Sequence, residues 1–398
     1  MSTAQRIAEY STFAPWLQTD PIPYWKEMRD AAPIARSEQH GGYWIMTRHE
    51  DIVWAARNPD IFSSAEPLVP YHPLLGAERQ IPLELDGKVH RDWRRTLGDA
   101  FSPAAVEAIT PRIRQAAAEL VDRLANNERC EFISEFAVTL PAETFLANFG
   151  IGRERLEEFI TFKNWYVHEA LPNAHSGLDI IEAGRPIRAF FAEEVERRRA
   201  AGQTDGIDVI SHLMRATLDG RPPTLDEISN ACFVSMLASL DTTTSALGLS
   251  WARLAQDTRT RAVITESPDA IPALVEELIR IEPVLTTARI VTKDVECHGV
   301  QLSAGDKVLM SWGMTGLDPD VYDEPDKFVV DRIRKRQLAF GVGPHRCLGM
   351  HVARRVLAVA LQEWHMRIPD YRLDPEQPPV LHYSSVRGVD QLQLLIGR

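Results

Sequence analysis

The sequence predicts a mainly α-helical protein with a small β region, folded as a single domain over residues 1–398. Apolar residues recur at three- and four-residue spacing over long stretches, which indicates helices. Strand-like stretches are few and short, so the sheet is a minor part of the fold. No linker, low-complexity tract or internal repeat divides the chain, which favours one large core.

Composition restricts the class of protein. Hydrophobic residues make up 44% and charged residues 25%, as in soluble globular proteins. The net charge of −12 argues against nonspecific binding to nucleic acid. The N-terminal segment has no basic region followed by an apolar run, so we expect no signal peptide, no membrane anchor and a cytoplasmic location. The cysteines lack the spacing of a disulfide framework or a zinc site, which favours a reducing compartment.

The first predicted elements are short. A helix over about 23–29 precedes the strand Tyr43-Trp-Ile-Met46, and another helix starts at Glu50. Residues 59–89 are rich in proline and lack periodicity. A loop of this length in a compact domain is usually functional, although a plain surface loop is the alternative.

Helical character returns at residues 88–95, where His90 and Arg94 are four apart and therefore share one face. The stretch 103–201 is predicted to be helical, with a break around 171–186 where prolines and glycines cluster.

The longest predicted helix starts near Thr224, where Glu227 completes a capping box, and continues to about Gln256. Its centre is apolar, as expected of a buried helix, and yet contains Asp241 followed by Thr242. A buried carboxylate is unfavourable unless it is paired or hydrogen-bonded, which indicates a functional pair. In the alternative, structural interpretation the hydroxyl simply bonds to a carbonyl of the preceding turn.

A further helix is predicted to start at Ser267 and to end before Pro283. Within it Glu277 and Arg280 are three apart and can pair on one face. Two strand-like stretches follow, at 295–300 and 306–310.

Near the C-terminus the stretch Phe340-Gly-Val-Gly-Pro-His-Arg-Cys347-Leu-Gly349 is predicted to be a shaped loop because of its glycines and proline. An apolar-periodic helix over 350–364 follows directly. Cys347 therefore lies at a helix N-terminus, which favours a thiolate and suits axial ligation of haem iron. The alternative is a packed cysteine before an ordinary helix. The remaining cysteines, Cys130, Cys232 and Cys297, are interpreted as small buried hydrophobes.

This loop resembles the haem-binding signature of the cytochrome P450 superfamily, Phe-Gly-x-Gly-x-His/Arg-x-Cys-x-Gly, at every fixed position. The resemblance is best over residues 235–390, where the chain is similar to the soluble bacterial camphor-hydroxylase branch. The supporting matches are Leu240-Asp-Thr242, His298-Gly-Val-Gln-Leu302, Gly316-Leu-Asp318, Glu363-Trp364 and Arg367-Ile-Pro-Asp370.

The resemblance implies a haem-thiolate monooxygenase fold holding one haem b (iron protoporphyrin IX), with Cys347 as the iron ligand and Phe340 and Gly349 as further signature residues. It also implies that the haem propionates are bound by His90, Arg94, Arg289 and His345. A structural network supporting the cysteine loop is implied at Glu277, Arg280 and Arg332.

The acid–alcohol pair resembles the family's Ala/Gly-Gly-x-Asp/Glu-Thr pattern. Asp241 and Thr242 are then the catalytic residues that deliver protons to dioxygen, while Ser239 stands where the family usually has glycine. Substrate-pocket residues are expected at Val234, Leu237, Ala238, Leu240, Val284, Leu285 and Val386. Further candidates for substrate contact are Phe162, Trp165, Tyr166 and Leu171.

The expected partners are a small apolar substrate, with terpenoids as the leading class, dioxygen and an acidic ferredoxin-type electron donor. The donor is expected at a basic cluster around the thiolate, although a solvated basic rim is the alternative; the cluster comprises Arg95, Arg334, Lys335, Arg336, Arg346, Arg354 and Arg355. Competing functions are a hydroxylase of a carrier-bound or larger natural product and a non-catalytic haem sensor. Asp241 and Thr242 weigh against the sensor, and a cysteine hydrolase is disfavoured because no general base can be assigned to Cys347.

Overall fold

The computed structural model describes residues 1–65, 79–170, 180–332 and 337–397, and it is mainly helical with small sheets, as predicted. The α-helices are α1 (Thr3–Ala8), α2 (Ile22–Ala31), α3 (His49–Arg57), α4 (Gly87–Ala100), α5 (Pro103–Leu124), α6 (Thr139–Phe149), α7 (Leu156–Trp165), α8 (Ile180–Ala200), α9 (Val209–Met214), α10 (Leu225–Leu254), α11 (Thr258–Glu266), α12 (Ile271–Ile281), α13 (Trp312–Gly316) and α14 (Met350–Arg367).

The strands are β1 (Ile34–Ser37), β2 (Tyr43–Met46), β3 (Phe62–Ser63), β4 (Arg129–Glu131), β5 (Thr286–Val291), β6 (Val295–Cys297), β7 (Val300–Leu302), β8 (Lys307–Ser311), β9 (Tyr371–Leu373), β10 (Val380–Tyr383), β11 (Arg387–Gln391) and β12 (Gln393–Ile396). The chain forms two compact units. The sheet unit comprises residues 1–72, 269–347 and 379–390, and the helical unit comprises residues 73–268, 348–378 and 391–398.

The sheet unit is built on a five-stranded sheet of order β1-β2-β8-β5-β3. β2 and β8 run parallel, with Ile45 opposite Leu309, and the other neighbouring strands are antiparallel. Large aromatic residues such as Trp25, Tyr43 and Trp312 fill its core. Two hairpins, β6–β7 and β10–β11, complete this unit.

The helical unit is organised around α10. Thr224 accepts from the backbone N–H of Glu227 while the Glu227 side chain accepts from the N–H of Thr224, which is the predicted capping box. Among the described residues, α10 is the one helix long and apolar enough to cross a membrane, and 67% of its most apolar window is buried inside the fold. Its apolar character is therefore accounted for by its place in the core.

Three aromatic rings join the C-terminal half of α10 to α14. Phe132 stacks on Trp251 with ring centroids 4.8 Å apart, and Trp364 meets both rings edge-on. Such contacts favour a fixed geometry beyond simple burial. The segment that supplies Phe132 follows β4, which pairs with β12.

Four local predictions were wrong. The stretch 103–201 is not helical throughout its first part, because Arg129–Glu131 form strand β4. The break around 171–186 does not extend to its end, because α8 starts at Ile180 and continues through Gly184, where an added Cβ would lie 3.1 Å from Phe233. The helix predicted from Ser267 starts at Ile271, since residues 268–270 form a 3-10 turn first. The stretch 295–300 is a hairpin rather than one strand, with its turn at His298.

Candidate functional site

The loop that carries Cys347 depends on two glycines with left-handed backbone. Gly341 has φ +72° and Gly343 has φ +80°, conformations that other residues rarely adopt. A Cβ on Gly343 would also lie 2.3 Å from the carbonyl oxygen of Ala56. The Cys347 N–H donates to the Phe340 carbonyl at 2.8 Å, which closes the loop on itself. The glycine spacing read from the sequence is thus required by the backbone path.

Cys347 is exposed, whereas the other three cysteines are buried. Burial raises the pKa of the Cys130 thiol to about 12 and that of the Cys297 thiol to about 11, so both stay protonated near neutral pH. Burial also raises the pKa of Cys232. Cys347 is consequently the cysteine whose sulfur is accessible to an external ligand.

A buried ion network lies before the loop. Arg280 donates from Nε and Nη2 to the two carboxylate oxygens of Glu277, each at 2.7 Å. Arg332 donates from Nε to Glu277 Oε1 at 3.2 Å. The three residues are 2–9% exposed, and the structure brings them together, as predicted for a network that supports the cysteine loop.

The same network continues to the start of the cysteine loop. Gln337 donates to Glu276, the neighbour of Glu277 on α12, and its own side-chain oxygen accepts from the N–H of Ala339 at 2.6 Å. Phe340 and the glycine turn follow directly. The position of the loop relative to α12 is therefore fixed through side chains on both sides of the 333–336 segment.

The remaining candidates of the sheet unit are Arg289 on β5, the apolar residues next to that strand, and His345 in the cysteine loop. Arg289 is buried and donates from Nη1 to the Ala288 carbonyl at 2.7 Å, and His345 is half-buried. The half-buried pocket candidate Leu285 pairs with Val386 in an antiparallel bridge, and Val284 accepts from the Arg387 N–H. These three apolar residues therefore lie on adjoining backbone segments.

In the helical unit, the central part of α10 is largely buried but has one accessible face. Residues at helical spacing on this face are exposed or half-buried, and we call them the accessible stripe: Ser235, Ala238, Ser239, Thr242 and Ala246. Leu237 beside the stripe is half-buried. Val234 and Leu240, two of the predicted pocket residues, belong instead to the hydrophobic core of this unit.

Hydroxyl groups on the stripe donate along the helix. Thr242 Oγ1 donates to the carbonyl of Ala238 at 2.7 Å, and Ser239 Oγ donates to the carbonyl of Ser235 at 2.6 Å. Each hydroxyl oxygen keeps accepting capacity for a further group. The hydrogen bond from Thr242 to a carbonyl of the preceding turn, which the structural interpretation predicted, is thus present. The oxygen of the threonine can still accept a further hydrogen bond.

Asp241 lies beside a buried lysine. Lys163 Nζ is 3.7 Å from Asp241 Oδ1, and their side chains are 2% and 12% exposed. The lysine provides the opposite charge that a carboxylate in an apolar helix requires.

Lys163 was not identified from the sequence, although a signal was present. Phe159, Lys163 and Tyr166 follow one another at four- and three-residue spacing, and all three are buried. A lysine on the apolar face of a helix needs a partner, so this spacing predicts a buried acid nearby.

We expect Lys163 and Asp241 to be energetically coupled. In a double-mutant cycle with Lys163→Met and Asp241→Asn, urea unfolding should give a favourable coupling free energy of about 1 kcal/mol or more, because few water molecules screen the pair. The matched control is the exposed Lys88–Asp219 pair, at 62% and 77% exposure, for which Lys88→Met and Asp219→Asn should couple by much less. Equal coupling in the two cycles would contradict the assigned role of Lys163.

The other helical-unit candidates lie on α4 and α7. His90 is buried and Arg94 is half-buried, one turn apart on α4. Phe162 stacks on Tyr166, whose ring also meets Phe233 edge-on, and Trp165 is 38% exposed. The remaining candidate for substrate contact, Leu171, lies outside the described residues, as do residues 66–78 of the proline-rich loop predicted at 59–89.

The basic cluster is described in part. Arg95 and Arg346 are exposed, Arg354 is half-buried, and Arg355 donates to Glu107 at 2.8 Å. The Nη1 atom of Arg95 lies 3.5 Å from Oδ1 of Asp92. The other members, Arg334, Lys335 and Arg336, lie outside the described residues.

Known proteins resemble this chain over most of its length. The family model described as Cytochrome P450 matches residues 43–367. A protein named probable cytochrome P450 127A1, from Sinorhizobium fredii, is 29% identical over 355 residues, 89% of this chain and 83% of its own length. The 6-deoxyerythronolide B hydroxylase of Saccharopolyspora erythraea is 27% identical and covers 98% of each chain. The crystal structure of CYP101J2 superposes with a TM-score of 0.89 at 28% identity, covering 98% of this chain and 97% of that one.

Proposed function

The chain belongs to the cytochrome P450 family and is a haem-thiolate monooxygenase, and on this premise we propose that it hydroxylates an unactivated C–H bond of a small apolar compound. The family and the enzyme class predicted from the sequence are thereby confirmed. The observation that supports hydroxylation most directly is the Asp241–Thr242 pair, with Thr242 on the accessible stripe and Asp241 held by Lys163.

The residues of the cysteine loop fit a haem-thiolate group. Cys347 is exposed, its backbone N–H donates to the Phe340 carbonyl, and two left-handed glycines precede it, so the backbone of the loop supports its shape. We propose haem b as the group, with Cys347 as iron ligand and Phe340 and Gly349 as neighbours. When bound, such a group supplies the reductive activation of dioxygen, which a thiolate ligand favours by donating electron density.

The propionate carboxylates of haem need cationic or hydrogen-bonding partners. We assign this role to His90 and Arg94 of α4 and to Arg289 and His345. His90 and Arg289 are buried, which supports this assignment because solvent would screen a charged partner beside them only weakly.

Proton delivery is assigned to the acid–alcohol pair. Thr242 Oγ1 donates to Ala238, which leaves its oxygen free to accept a hydrogen from a water molecule or a reacting group at the stripe. We assign to the Asp241 carboxylate, which Lys163 holds in place, the transfer of protons from solvent toward Thr242. Ser239 bonds within the helix and adds a second hydroxyl oxygen to the same stripe.

The substrate and partners follow from the family and from the apolar pocket candidates. A monooxygenase of this family uses a substrate, dioxygen and a redox partner. We propose a terpenoid-like substrate, contacted by Leu237, Ala238, Val284, Leu285 and Val386, and a ferredoxin-type donor at the basic cluster. A larger natural product is the second candidate, because one relative is a 6-deoxyerythronolide B hydroxylase. We also propose a cytoplasmic location.

Thr242→Ala tests this function. We expect the variant to keep its haem and to consume electrons at a similar rate, but to release hydrogen peroxide in place of product, because proton delivery is impaired. The measurement is product and peroxide formed per pair of electrons consumed. Thr243→Ala, at the next and half-buried position, is the matched control and should stay coupled. Unchanged coupling in Thr242→Ala would remove Thr242 from proton delivery.

The substrate for this measurement comes from a panel of terpenoids and macrolides, screened by the Soret shift on binding. Shifts confined to terpenoids support the first substrate class, and shifts confined to macrolides support the second.

A further inference from the structure

A cluster of three metal-ligating side chains lies in the sheet unit, within residues other than those assigned to the haem. Among the described residues, Asp51, Cys297 and His298 each offer a ligand atom, and these atoms lie within 4.8 Å of one another. Asp51 belongs to α3, whereas Cys297 ends β6 and His298 forms the following turn. The cluster thus joins a helix and a hairpin that are about 250 residues apart in sequence.

One oxygen of Asp51 is buried without a partner. The residue is 6% exposed, its Oδ1 lies 2.7 Å from His298 Nε2, and its Oδ2 has no hydrogen-bond partner in the part of the chain that the structure describes. A buried carboxylate oxygen without a donor is unfavourable by about 1–3 kcal/mol or more. A cation bound at this oxygen would remove that deficit.

The turn presents His298 through an uncommon backbone. His298 has φ +51° and Gly299 has φ +75°, the pattern of a two-residue turn with two left-handed positions, and Cys297 is paired with Val300 across it. Histidine tolerates this region better than most side chains. The turn therefore places the imidazole immediately beside the Cys297 thiol.

We propose that Asp51, Cys297 and His298 form a binding site for a borderline-soft divalent metal ion of the Zn²⁺ type. Zinc is bound by thiolate, imidazole and carboxylate at about 2.0–2.3 Å, which puts ligand atoms about 3–4 Å apart. The ligand atoms of the cluster lie within 4.8 Å of one another, so binding would need a small contraction and the opening of the 2.7 Å contact between Asp51 and His298. Three protein ligands leave a fourth position for water. The exposed edge of His298, whose side chain is 33% accessible, provides the entry path.

A divalent cation would offset the cost of burying anionic ligands, since Asp51 and Cys297 are both buried. A bound metal ion stabilises both anions, and its binding releases the Cys297 thiol proton to solvent. The bound ion clamps α3 to the β6–β7 hairpin.

The test uses haem-loaded, tag-free protein, in which Cys347 is already engaged by iron. Titration with Zn²⁺ by calorimetry should show one site, and X-ray absorption at the zinc edge should show one sulfur at about 2.3 Å with nitrogen and oxygen at about 2.0 Å. This signal is specific for zinc, so haem iron does not interfere. Zinc should also raise the melting temperature.

The variants are chosen to keep the fold. Cys297→Ala removes the thiol, His298→Asn keeps a side chain that accepts positive φ, and Cys130→Ala is the matched control for loss of a buried cysteine. Zinc affinity should fall by at least about tenfold in the first two and stay unchanged in the third. No site in the wild type, no sulfur in the zinc shell, or full affinity in Cys297→Ala or His298→Asn would overturn the proposal.

Discussion

Cys347→Ala is expected to abolish the red-shifted Soret band of the ferrous carbon-monoxide complex and all product formation. The shifted band requires a thiolate on iron, and no other cysteine can take this place. Cys130, Cys232 and Cys297 are buried, and their thiols have raised pKa values. Removing the Cys347 sulfur therefore removes the ligand rather than exchanging it for another one.

The fold should survive this substitution. Cys347 is exposed, and alanine would retain the backbone N–H that donates to the Phe340 carbonyl. The far-ultraviolet circular dichroism and the urea midpoint of the apoprotein are thus expected to be close to those of the wild type. Cys130→Ala is the control for the spectrum and should keep the shifted band. A wild type without that band would contradict the central assignment.

The sequence correctly predicted features of the fold that depend on interactions between residues close together in the chain. The capping box at Thr224 and Glu227 defined the start of α10, and the glycines before Cys347 defined a loop whose left-handed residues the structure contains. Both features depend on interactions within a few residues, so a single sequence contains the information they need. The periodicity that follows Gly349 similarly predicted α14.

Other features depend on contacts that a single sequence does not contain. Pro186 and Gly184 indicate a break, yet α8 continues because glycine lets the helix backbone approach Phe233. The pairing of Lys163 with Asp241 and of Asp51 with His298 joins residues 78 and 247 positions apart. The spacing of the cysteines did not predict a zinc site, because Asp51 comes close to Cys297 and His298 only in the folded chain.

Substitution of Arg280 is expected to destabilise the protein strongly. Its guanidinium is buried, makes two bonds to Glu277, and also donates to the carbonyls of Gly316, Pro325 and Lys327 at 2.5–3.0 Å. Arg280→Met would leave a buried carboxylate short of donors and three carbonyl oxygens with lost partners. Removing one partner from a buried pair lowers the free energy of unfolding by about 3–5 kcal/mol.

The measurement is the urea midpoint of the haem-loaded protein, together with its haem content. Arg280→Lys should recover little of the loss, because an ammonium cannot reproduce the two parallel bonds to Glu277 or the fan of bonds to carbonyls. Haem content should fall as well, since the Glu277 network and Gln337 position the segment that enters the cysteine loop.

The chain offers a matched control in Arg221, which makes two bonds of 2.7 and 2.6 Å to Glu227 at the surface. The arginine side chain of that pair is 54% exposed, so water screens the charges and replaces the lost bonds. Arg221→Met should therefore lower the urea midpoint far less than Arg280→Met. Equal losses in Arg221→Met and Arg280→Met would show that burial does not set the strength of the Glu277 network, and the supporting role assigned to it would have to be abandoned.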